Sequence, residues 1–161
     1  MEPVIFMLCF SLHNTEEALW LTEWRKTTMP DNEKPHDAQQ FIFSVLGLTI
    51  LGYLASGLFI LFPNNDLLEF CFIGFVGTTL IDAVASHIFL SIKYRKYHPG
   101  VLSSCLLMIP LDTVILYNDA VSNLKISEML ISTLFIGIVF LVAVPAFEHL
   151  GKRLLKDILI K

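Results

Sequence analysis

FIFSVLGLTILGYLASGLFILF, residues 41–62, contains no charged side chain. About 20 apolar residues of helix cross the hydrocarbon core of a bilayer. This stretch therefore predicts a transmembrane helix, and its neighbours are read against it. Segment 67–92 is interrupted only by Glu69, Asp82 and His87, segment 101–117 carries Pro110 and Asp112, and segment 126–147 is charged only at Glu128. Segment 3–24 is apolar as far as Leu12 and then passes through His13, Asn14, Glu16, Glu17 and Glu23. Ala18, Leu19, Trp20, Leu21 and Trp24 keep it compatible with a spanning helix whose polar face points into protein. Glu2 stands where a signal peptide would be basic, and no small-x-small cleavage site follows, so the segment reads as a mature helix.

The expected fold is all-α, a polytopic membrane helix bundle of about five transmembrane helices forming one domain over residues 1–161. A four-span arrangement with the first segment outside the bilayer ranks second. Composition agrees: 55% of residues are hydrophobic, 16% are charged and the mean hydropathy is +0.67, whereas soluble domains carry about 25% charged residues. The net charge of −4, with no basic cluster, excludes a nucleic-acid partner. Cys9, Cys71 and Cys105 lie in apolar runs without paired spacing, which excludes a disulfide framework or zinc knuckle. Gly52 and Ser56 form a small-x-x-x-small pair that permits close helix approach.

Basic residues collect in cytoplasmic loops. Ten of the eleven Lys and Arg fall after the first span, after the third span or in the tail, which leaves only Lys125 on the other side. This pattern sets the N-terminus out and the C-terminus in. Residues 148–161 place Leu154, Leu155, Ile158 and Leu159 against a basic face and read as an amphipathic tail on the inner membrane surface.

Glu16, Glu17, Asp82 and Asp112 lie within apolar spans that contain no Lys or Arg. One buried Asp costs about 2.5–3.5 kcal/mol on the insertion scale. Protonation, pairing with His13 and His87, a bound cation or a watery cavity must offset that cost. Counted from the cytoplasmic helix ends at about 1.5 Å per residue, His13, Asp82 and Asp112 fall about 15–17 Å deep, Glu16 and Glu17 about 10–12 Å, and His87 about 7–8 Å. The count puts Glu16 or Glu17 beside His87, with His13 and Asp82 in a deeper tier. His13 lies three and four residues before the two glutamates, which sets imidazole and carboxylate on one helix face. Asp82 and His87, five apart, diverge by about 140° on an α-helix and face one cavity only if the helix bulges. Asp112 follows Pro110 closely enough to hydrogen-bond backbone groups that the proline frees. His36, His98 and His149 read as solvated loop or end residues, and Trp20 and Trp24 as interfacial anchors. Tyr97 is either a further anchor or a cap on the cavity mouth.

The run His13-Asn14-Thr15-Glu16-Glu17 in a first hydrophobic segment resembles the signature of the HXXEE membrane-protein family. Asp82-Ala83 with His87 resembles that family's Asn-Ala then His element, and Tyr97-His98-Pro99-Gly100 resembles its Tyr-x-Pro-Gly turn. The resemblance covers roughly residues 9–117 and strengthens the site while leaving the reaction open.

The expected function is an integral-membrane enzyme acting on a lipophilic small molecule by acid/base or metal-assisted chemistry, whether isomerisation, cyclisation or hydrolysis. His13, Glu16, Glu17, Asp82, His87 and Asp112 are the candidate catalytic residues. His13, Glu16, Glu17 and His87 are the candidate ligands of a divalent metal ion. Membrane lipid is the expected partner and a bacterial or archaeal cell membrane the expected location. A small proton-coupled transporter and a non-catalytic accessory subunit are the alternatives, and the polar set has helix packing as its plainer reading.

Overall fold

The computed structural model describes residues 1–29, 38–122 and 125–159. Among them the chain forms five helical segments and no strand. Helix α1 is Glu2–Thr28, α2 is Ala38–Leu61, α3 is Asp66–Tyr94 and α4 is Val101–Val121, and α5 is Ile126–Leu159. Helices α2 to α5 are each long and apolar enough to cross a membrane. The equally long α1 is set apart by the polar residues that its inward face carries.

Local chemistry sets the ends. Pro3 sits in the first turn of α1, where its missing N–H costs nothing. The Asn65 side chain accepts from the Leu67 and Leu68 amides, both at 3.1 Å, and caps α3. Arg95, at φ 51°, ends α3, and Gly100, at φ 93°, opens α4. Helix α5 passes through Pro145 without a break and remains on α2 as far as Gly151, which packs against the Phe43 ring.

The exterior is apolar, with Leu8, Leu46, Ile50, Leu130, Leu134 and Leu141 all exposed. Such a surface suits lipid rather than water. Inside, Phe6, Phe10, Phe72 and Phe75 are buried and meet largely edge to face, with ring centroids 5.4–6.0 Å apart between α1 and α3. Phe59 stacks on Phe72, and Phe140 closes on Phe75. Gly52 and Ser56 are buried, and a Cβ at Gly52 would lie 2.9 Å from Phe10, so the small pair does admit close packing. At Gly74 a Cβ would stand 2.6 Å from the Ser132 carbonyl oxygen; α3 and α5 touch there backbone to backbone. This aromatic plug fills one half of the bundle. His13, Glu16, Glu17, Asp82 and His87 gather in the other half, where the α3–α4 turn folds over them.

Two π-helical stretches interrupt the helices: Ala83–Ile88 in α3 and Ser104–Met108 in α4. The second precedes Pro110, whose ring crowds the preceding turn and whose nitrogen donates no hydrogen bond.

Candidate functional site

In α1, His13 and Glu17 stand on one face, with Leu21 and Arg25 continuing it at four-residue steps. All four line a cavity of about 380 Å³, together with Asp82, Ser86 and His87 of α3 and His98 of the α3–α4 turn. Apolar side chains of α2, α4 and α5 complete its walls. The π turn over Ala83–Ile88 supplies the bulge that a shared face requires. With i→i+5 bonding, residues five apart come nearly into line, and His87 Nε2 lies 3.4 Å from Asp82 Oδ2.

His87 is 1% exposed and has well-defined partners. Its Nδ1 lies 2.9 Å from the Pro99 carbonyl oxygen, which a proton on Nδ1 would satisfy, and 3.2 Å from His98 Nδ1. Nε2 faces Glu17 Oε1 and Asp82 Oδ2, each at 3.4 Å, and has no hydrogen-bond partner among the described residues. His13 is arranged alike. Its Nδ1 lies 3.0 Å from Ser103 Oγ, and that hydroxyl donates onward to Glu16. With that hydroxyl donating to Glu16, His13 Nδ1 carries a proton. One ligand atom each from His13, Asp82 and His87 lies within 4.8 Å of the others. Imidazoles fixed through Nδ1–H on a carbonyl or hydroxyl, presenting Nε2 beside carboxylates, are the donor set of a transition-metal dication.

The two adjacent glutamates part company. Glu17 turns to the cavity. Glu16 turns to the next helix: its Oε1 accepts from Tyr97 Oη and from the Gly100 amide at 2.8 Å, and its Oε2 accepts from the Ser103 amide at 3.0 Å and the Ser103 hydroxyl. It caps the open N-terminus of α4, where amides lack partners and the helix dipole favours an anion. Asp112 is fully buried behind the cavity wall and accepts from Thr79 Oγ1 at 3.0 Å, a residue that lines the cavity. Its partner is thus a side chain of α3 and not the backbone near Pro110.

Four expectations are corrected. His13 and His87 do not occupy separate tiers about 8–9 Å apart, since their ring centroids are 4.7 Å apart; counting along straight helices ignored both the bulge and the inward lean of the side chains. His98 is not solvated: it is 2% exposed and meets Trp24 and His87 edge-on, with ring centroids 4.4 Å and 5.1 Å away. Burial, with His87 alongside, pushes its pKa down to about 4, and its Nδ1 donates to the Pro99 carbonyl at 2.7 Å. Trp24 is buried against Tyr94 and His98 rather than held at an interface, while Trp20 remains exposed. The acids also have a cationic neighbour, because Arg25 folds over the Phe41 ring, 5.2 Å from its centroid, and lines the cavity. The run 17, 21, 25 was the available signal for Arg25; nothing local marked Ser103. His149 is exposed, and His36 lies outside the described residues.

Gly100 ties the turn to the site. A Cβ there would overlap the His87 ring and lie 3.1 Å from His13 Cε1, at a φ that L side chains rarely adopt. Gly100→Ala is expected to lower stability by about 1–3 kcal/mol through backbone strain alone. The lower midpoint of thermal unfolding in detergent checks this, and a midpoint equal to wild type contradicts it.

The family model described as "Protein of unknown function with HXXEE motif" matches residues 4–115, which hold every ionisable residue of this site. The chain is also 36% identical over 149 residues to "Uncharacterized protein YrkK" of Bacillus subtilis (strain 168), covering 92% of this chain and 94% of that protein. No solved structure matches. Motif, extent of match and likeness along nearly the whole length agree, and the chain belongs to the HXXEE family.

Proposed function

We propose that this chain is a multi-pass membrane enzyme, N-terminus out and C-terminus in, that holds a divalent cation between His13, Asp82 and His87 and hydrolyses a lipophilic substrate. One observation carries the reading. His87 Nε2, buried and without a hydrogen-bond partner among the described residues, faces two carboxylate oxygens at 3.4 Å. Carboxylates this close to a ring nitrogen call for positive charge among them, from a proton on Nε2 or from a bound cation, and the cation is the proposal. A dication supplies that charge and Lewis acidity for an acyl or phosphoryl group. Glu17, beside the cluster and outside the three-residue ligand set, is placed to take the proton of the attacking water. Arg25 at the cavity wall offsets the developing negative charge.

The aromatic plug supports an enzyme over a carrier. Phe6, Phe10, Phe72 and Phe75 are each at most 4% exposed and pack against one another in the interior beyond His13.

The test is elemental analysis of protein purified in detergent without chelators. About one divalent ion per chain is expected. Protein free of any such ion, and unable to bind one on titration, overturns the cation-centred reading.

A further inference from the structure

We infer that the substrate of this site is an amphiphile with one apolar chain, which lies in a groove between α3 and α5 and delivers its polar end past Asp82 to the His13–His87 cluster. The inference rests on the proposed enzymatic reading for the polar end, while the groove is a separate observation.

The groove encloses about 370 Å³. Ile81 and Ala85 of α3 face Leu134, Gly137 and Ile138 of α5 across it. Of its polar lining groups, the Thr78 hydroxyl is turned to the carbonyls of Gly74 at 2.8 Å and Thr133 at 3.1 Å, and the Ser86 hydroxyl donates to Asp82, so the wall away from Asp82 is largely apolar. Ile81, Leu134 and Ile138 are each more than half exposed, so the groove opens sideways, toward lipid in the proposed orientation.

At one end the groove runs into the reaction cavity. Asp82, Ser86, Phe140 and Leu141 line both. The Asp82 side chain is 47% exposed although one of its oxygens lies 3.4 Å from the buried His87 Nε2, as expected of a group at a doorway. At the other end α3 and α5 meet backbone to backbone at Gly74 and Ser132, which closes the crevice. The α3 residues that line it, Thr78 to Ser86, span about 12 Å at 1.5 Å per residue. Such a slot is closed by helix contact at its far end and bounded by two helices. It accepts one hydrocarbon chain, and a two-chain lipid would have to leave its second chain outside. Gly137 keeps it open: a Cβ there would meet only Thr78 Oγ1, at 4.0 Å.

A photoactivatable diazirine analogue of palmitate is the probe, its carboxylate standing for the polar end. In detergent-solubilised full-length protein, saturable labelling of α3 and α5 peptides around Ile81 and Gly137 is expected, displaced by unlabelled palmitate. Gly137→Phe should reduce it at least tenfold and Gly137→Leu less. Gly57→Phe should leave it unchanged, because nothing lies within 4 Å of a Cβ at that position of α2. Labelling spread evenly over the lipid-facing helices, or equal in wild type and both Gly137 variants, overturns the groove. Should Gly137→Phe fail to fold, Gly137→Leu decides alone. Ion content measured on the same samples separates the two readings. Groove labelling in protein that cannot bind a dication removes the cation and leaves the chain site standing; a bound dication with even labelling does the reverse.

Discussion

Glu16→Gln is expected to cost the protein about 3–5 kcal/mol of stability, while Glu17→Gln leaves the unfolding midpoint within a degree or two of wild type. Both oxygens of Glu16 are saturated by donors from the Tyr97–Ser103 turn and the first turn of α4. An amide in that place turns an N–H₂ toward N–H and O–H groups. It therefore loses two bonds to a charged acceptor, at about 1.5–3 kcal/mol each, and strands their buried partners. Glu17 makes no such set; its carboxylate faces the cavity and the His87 ring at 3.4 Å. Glutamine keeps its shape and removes its basicity, so folded protein with lost turnover is the expected phenotype. Thermal unfolding followed by Trp24 fluorescence reads the comparison well, since that indole packs on His98 and Tyr94 beside the turn. Equal midpoints for the two variants would falsify the division of labour between these neighbours.

The second large effect is on cation affinity. His87→Gln is expected to weaken zinc binding, measured by calorimetric titration in detergent, by well over 100-fold. Ser103→Ala is expected to weaken it about 10–100-fold, the range for losing the outer partner of a ligating imidazole. Ser103 never needs to touch the ion. Its hydroxyl accepts from His13 Nδ1 at 3.0 Å and so holds the tautomer that presents Nε2. An affinity unchanged in Ser103→Ala, with the fold intact, would mean that His13 is not a ligand. An affinity unchanged in His87→Gln would remove the site altogether.

Much of this was legible before any coordinates. Uncharged apolar runs of spanning length locate the helices, because lipid tolerates so few polar residues that their absence is itself a signal. The imidazole and carboxylate of α1 belong together because α-helical spacing is regular: His13 and Glu17 do share a face. Regularity also misled. Asp82 and His87 point apart on an α-helix and meet only through a π turn that no residue between 83 and 88 announces. Glu16 and Glu17 are chemically identical and adjacent, and their roles separate only because the α3–α4 turn arrives on one side of α1. That turn buries His98 as well, edge-on against Trp24 and His87. Which loop folds inward is a property of the whole bundle, and a span-by-span reading has no access to it.

Helix α5 gives the cavity only apolar wall: Phe140, Leu141, Val144 and Pro145. Every ionisable lining residue comes from α1, α3 or the turn between α3 and α4. The family match, too, ends at residue 115, before α5 begins. The bundle thereby separates two things that selection can alter. On the proposed enzymatic reading, exchanging side chains along α5 would reshape what the cavity accepts while its ionisable groups stay where they are, and sequence differences among relatives that alter specificity are expected in the last helix.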